Sequence, residues 1–116
     1  MPAFLFIAAL AAAPAAHAAM PAMHAAMPAT RVATAAPLIT IGNFTFGPMQ
    51  VIVPVGATVT WVNGDDVPHT VRAVDNAFHS RPMDTDERFS FTFTKPGVYT
   101  YFCSLHPQMT GKVIVR

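Results

Sequence analysis

An all-β fold, either an antiparallel sandwich or a barrel, is predicted for residues 38–116 from three observations. Short runs of β-branched and aromatic residues recur along this stretch, separated by Gly, Pro and Asn. Phe89, Phe91 and Phe93 alternate with Ser90 and Thr92, the period of two that marks a half-buried strand. No window carries apolar residues at helical spacing, so helix content is expected to be low.

The chain before this domain reads differently. Residues 1–19, MPAFLFIAALAAAPAAHAA, form an apolar stretch broken by Pro14 and ending in the small-residue pattern Ala16-His17-Ala18. This predicts a secretory signal peptide cleaved near Ala18 or Ala19, with export to the periplasm. Its unbroken apolar part is shorter than the roughly 20 residues of a membrane span, so no span is expected after cleavage. Residues 20–37 are rich in Ala, Pro and Met without a structural period and read as a linker. Met20, Met23, His24 and Met27 in it are soft enough donors to recruit Cu(I).

Within the domain, LITIGNFTF (38–46) reads as a first strand with a possible bulge at Gly42, and QVIVPVGATVTWVN (50–63) as β structure interrupted at Pro54 and Gly56. HTVRAV (69–74), RFSFTF (88–93), GVYTYFC (97–103) and GKVIVR (111–116) complete the set. Turns are expected at Asn63-Gly64, Lys95-Pro96-Gly97 and Thr110-Gly111. Tyr99, just past the Pro96-Gly97 turn, reads as a core tyrosine or a tyrosine corner. Trp61 reads as core.

Charge and cysteine content narrow the function. Seven Lys and Arg against six Asp and Glu leave a formal net charge of +1 with no basic stripe, which excludes a nucleic-acid surface. A small exported domain would ordinarily be stapled by paired cysteines. This chain has one cysteine, Cys103, so a disulfide framework is impossible and the thiol needs another explanation.

That explanation lies in CSLHPQM, residues 103–109. Cys103 ends a strand, His106 follows a short connection and Met109 follows that, so one loop can place all three side chains around a point. A fourth ligand must come from His69 or His79. His69 opens a strand after a loop ending in Pro68, which restricts the residue before it, and is the better ligand; His79, in NAFHSRPM, reads as an exposed loop histidine. Singly, each residue has a plainer reading: Cys103 as a small buried apolar residue, His106 as a loop histidine, Met109 as a core plug. Jointly, two imidazoles, one thiolate and one weak thioether are the donor set of a blue-copper electron-transfer site. Structural zinc prefers a closed set of Cys and His, and Met is a poor zinc ligand. A Cys–His nucleophile needs an orienting third group that is not evident, and oxygen-reducing copper chemistry needs more histidines.

At GDDVPH (64–69), FTFTKPGVYTYFC (91–103) and CSLHPQMTGKVIV (103–115) the chain resembles the cupredoxin family, in its plastocyanin-like group and, by the short gaps on both sides of His106, the amicyanin type. The resemblance implies a single-domain Greek-key β-sandwich with one type 1 copper near one end. Its equatorial ligands would be His69, Cys103 and His106, and its axial ligand Met109. It also implies that His106 reaches the surface through an apolar patch of Leu105 and Pro107, with Pro48 and Met49. The activity implied is single-electron transfer and not enzymatic turnover, between transient redox partners of the dehydrogenase or cytochrome type, by a monomer. Storage or delivery of copper is the alternative, motivated by the Met/His segment. In one departure, Thr70 stands where members usually carry Asn after the first histidine; its hydroxyl and backbone N–H are the groups left to tie the ligand loops together.

Overall fold

Nine strands and no helix make up the described part of the chain. The computed structural model describes residues 29–32 and 36–116; the expected signal peptide and Met20–Met27 lie outside the described residues. In chain order the strands are β1 (Thr30–Val32), β2 (Leu38–Gly42), β3 (Thr45–Gly47), β4 (Gln50–Val53), β5 (Thr58–Asn63), β6 (Arg72–Ala73), β7 (Arg88–Thr92), β8 (Gly97–Cys103) and β9 (His106–Val115).

They form two sheets, one in the order β1-β4-β9-β8-β6 and the other β3-β2-β5-β7. Period-2 sequence makes each strand two-faced: along β5, Val59, Trp61 and Asn63 are buried and alternate with the half-buried Thr58, Thr60 and Val62. The inward faces of both sheets meet in one core, with Ile39, Ile41, Val59 and Trp61 on one side and Val51, Val113, Tyr101 and Cys103 on the other. The sandwich expected from the sequence is therefore present.

Several local expectations are corrected. The sheets are mixed, with β1–β4, β2–β5 and β4–β9 parallel. The chain reaches β5 only after β4 in the opposite sheet, so it returns beside β2 in the same direction. The segment 38–46 is two strands and not one: Asn43 and Phe44 both have positive φ and fold β2 back onto β3 as a hairpin. The expected strand 69–74 shrinks to Arg72–Ala73, and His69 makes only an isolated bridge to Met83. Thr110-Gly111 is no turn but lies inside β9, opposite Phe102 and Tyr101. Thr30–Val32, read as linker, adds to the exposed edge of β4; its side chains are all exposed, so backbone pairing alone places it. The tyrosine corner is realised, the Tyr99 hydroxyl donating to the Lys95 carbonyl at 2.8 Å.

Candidate metal centre

Cys103, His106 and His69 converge at the end of the sandwich where β5 and β8 finish and β9 begins. Alternation along β8 turns Tyr99, Tyr101 and Cys103 inward, and the Cys103 side chain is fully buried. Ser104 and Leu105 reverse the chain, and the register slips between Phe102 and Cys103 so that Cys103 pairs directly with His106. The short connection thus brings His106 Nδ1 to 3.7 Å from Cys103 Sγ. From the loop after β5, His69 Nδ1 approaches the same sulfur at 3.6 Å. One donor atom from each of the three lies within 4.8 Å of the others. Met109, on β9 past His106, is buried. His79 is exposed and takes no part in this group, as expected.

The loop carrying His69 is tied from within. Buried Asn63 donates through Nδ2 to the carbonyls of Val67 and Met83, both at 2.9 Å, while its Oδ1 accepts from the Asp65 N–H at 2.9 Å. Asp65 then orients the His69 ring: its Oδ2 accepts from His69 Nε2 at 2.8 Å. A proton on Nε2 leaves the Nδ1 lone pair directed at the sulfur, and such an outer partner fixes both tautomer and ring angle. The same carboxylate accepts the N–H groups of Asn43 at 2.6 Å and Phe44 at 3.0 Å. The Phe44 ring in turn lies edge-on to both imidazoles.

Thr70 takes up the tying role that its departure from the family pattern left open. Its backbone N–H donates to Cys103 Sγ at 3.3 Å, and its hydroxyl accepts the Ser104 N–H at 2.7 Å and lies 2.7 Å from the Ser104 hydroxyl. A donor on the sulfur lowers its electron density, which tunes any metal held there.

Burial alone would raise the Asp65 carboxyl, but the amides of Phe44 and Asn43, with the hydrogen bond and charge of His69, hold it below its ordinary 3.8. A carboxyl depressed on folding contributes stability that is fully present above 3.8 and lost as pH falls through the lower folded value. In metal-free urea unfolding, the stability gap between wild type and Asp65→Asn should therefore be constant near neutrality and shrink below about pH 4. A gap that does not change between pH 7 and pH 3 would mean that the three hydrogen bonds do not favour the ionised form.

Asn63, Asp65, Phe44 and Ser104 were not singled out by the sequence as site residues. Asp65 had a usable signal, four residues ahead of His69 in GDDVPH; the Phe44 contact had none. Of the four residues expected to form an apolar patch, three are exposed. Leu105 and Met49 are about half exposed and Pro107 is exposed, whereas Pro48 is buried.

One cysteine sulfur and two imidazole nitrogens so placed, with the buried Met109 on the strand that starts at His106, are donors that suit a soft or borderline metal. Comparison with known proteins points the same way. The model of copper binding proteins of the plastocyanin/azurin family matches residues 33–116. Amicyanin of Paracoccus versutus is 37% identical over 86 residues, covering 70% of this chain and 65% of that protein, just under two thirds of its length. Amicyanin of Paracoccus denitrificans is 36% identical over 89 residues, covering 72% of this chain and 68% of that protein. Among solved structures, a purple cupredoxin from Nitrosopumilus maritimus superimposes with a TM-score of 0.66 at 39% identity, over 68% of this chain and 98% of that one.

Proposed function

This chain belongs to the plastocyanin/azurin family of copper-binding proteins, and on that footing we propose that it is a periplasmic electron carrier whose copper is held by His69, Cys103, His106 and Met109. The observation that carries this reading is the triad of one cysteine sulfur and two imidazole nitrogens within 4.8 Å, buried at Cys103 and His69 and half-buried at His106, with His69 anchored from behind by Asp65. Copper bound there supplies a Cu(I)/Cu(II) one-electron couple. The signal peptide 1–19 is part of the proposal, as is a linker that follows it and, expected over 20–37, ends before Thr30–Val32, the strand that pairs with β4 of the carrier domain.

The residues divide the work. Thr70 donates to the sulfur and His69 is locked by Asp65, so neither needs to move when the charge of the site changes. His106 is only half-buried, with exposed Leu105 and Pro107 on either side. Its outer edge is thus the point where an electron leaves or enters, and the apolar rim lets a redox partner of the dehydrogenase or cytochrome type dock closely and briefly. The role proposed is electron carriage and not enzymatic turnover. The alternative, copper storage or delivery, draws on Met20–Met27, outside the described residues, and predicts more than one tightly held Cu(I) per chain.

The copper-loaded protein should oxidise and reduce reversibly by one electron and exchange electrons rapidly between its own two oxidation states. Leu105→Lys, which sets two charged patches against each other in that encounter, should slow self-exchange by about tenfold or more at low salt while leaving the visible spectrum intact. NMR line broadening in mixtures of the two states measures it. An unchanged rate removes the patch from the mechanism, and irreversible oxidation removes the carrier reading.

A further inference from the structure

The chain places an aromatic residue where a two-residue hairpin favours glycine. Asn43 and Phe44 join β2 to β3 with φ of 50° and 57°, the positive pair of a type I′ turn, whose second position is commonly Gly. A bulky side chain there costs free energy that glycine would not. Something must hold it, and Asp65 does: one carboxylate accepts both turn amides and the His69 Nε2–H.

The ring so held is not on an ordinary surface. Its centroid lies 5.4 Å from that of His69 at 85°, and 4.9 Å from that of His106 at 79°. The two imidazoles are themselves 4.9 Å apart, so the three rings close a triangle. Phe44 is 48% exposed while His69 is 0% exposed. The aromatic therefore stands between solvent and the seam where the two ligand loops meet. Edge-to-face contact with His106 also restrains the half-exposed ring, which has no hydrogen-bonded anchor like that of His69 among the described residues.

We propose that Phe44 is a lid on the metal centre, latched by Asp65: it closes the seam between the imidazoles to water and small anions, and it braces the His106 ring. Phe44 is a positioning and shielding residue and ligates nothing. The inference rests on the copper reading above. It gives a reason for a costly aromatic at this turn: an excluded exogenous ligand cannot add to the copper in one oxidation state and so cannot add to the rearrangement on electron transfer.

The test compares the full chain with Phe44→Gly and Phe44→Leu. Glycine removes the ring and the backbone cost together, so Phe44→Gly should fold with wild-type or higher thermal stability. In the copper-loaded Gly variant, azide should perturb the visible and EPR spectra at several-fold lower concentration than in wild type. Water-proton relaxation by Cu(II) should rise, and Phe44→Leu, which refills the space, should restore both toward wild type. Wild-type azide response and water relaxation in Phe44→Gly would overturn the shield. In metal-free protein, imidazole NMR should show the His106 ring averaging between orientations in the Gly variant while His69 stays fixed; unchanged His106 signals would overturn the brace. If the Gly variant does not fold, Phe44→Ala in the same assays decides both points. Failure of the copper reading is seen separately, as the lack of a blue spectrum in the wild type itself.

Discussion

The wild-type protein should take up one equivalent of Cu(II) with an intense visible band, and Cys103→Ser should lose that band while its EPR spectrum widens to the copper splitting of an ordinary tetragonal site. The band arises from charge transfer out of a thiolate, and Cys103 is the only cysteine in the chain. A serine hydroxyl does not ionise at neutral pH and offers no comparable covalent bond to copper. Two imidazoles and a thioether would remain, enough for loose binding in a geometry that Cu(II) itself prefers. The substitution is a mild one for the fold, because a hydroxyl still accepts the Thr70 N–H that now reaches the sulfur at 3.3 Å. Unfolding in metal-free buffer reports that point independently. A variant that keeps the wild-type band would dismiss Cys103 as a ligand, and with it the electron-carrier mechanism.

The legible part of this site was the part that is local in sequence. Cys103, His106 and Met109 lie on one turn and one strand, so their spacing carries their proximity. His69 was reached by elimination and by Pro68 before it. Asp65 bonds to amides 22 and 21 residues away, and no spacing rule reports such a contact. The turn at Asn43 and Phe44 was missed because Phe favours strands and stands where glycine would have signalled a reversal. Thr110-Gly111 failed in the opposite direction: glycine suggested a turn, but the residue continues β9.

The reason for that glycine gives the second large effect. A Cβ at Gly111 would stand 2.7 Å from Tyr101 Cε2 and closer still to the Cζ and the phenol oxygen, and the two residues are cross-strand partners in the β8–β9 ladder. The phenol ring therefore lies across the glycine, in the space a side chain would take. Tyr101 has no room to yield, being fully buried between Phe46 at 4.8 Å and Trp61 at 5.3 Å, both edge-on. Burial pushes its phenol well above the ordinary 10.0; the Trp61 indole N–H is near enough to oppose that rise but not in the geometry of a formed hydrogen bond. Gly111→Ala should thus overpack the core and destabilise the metal-free protein by about 2–3 kcal/mol, lowering Tm by about 10–20 °C for a domain of this size. Because Tyr101 and Cys103 share the inward face of β8, the displacement should also alter the spectrum of the copper-loaded protein. An apo Tm within about 2 °C of wild type would show that the Tyr101 ring can leave its place over Gly111 freely, and that glycine is not required there.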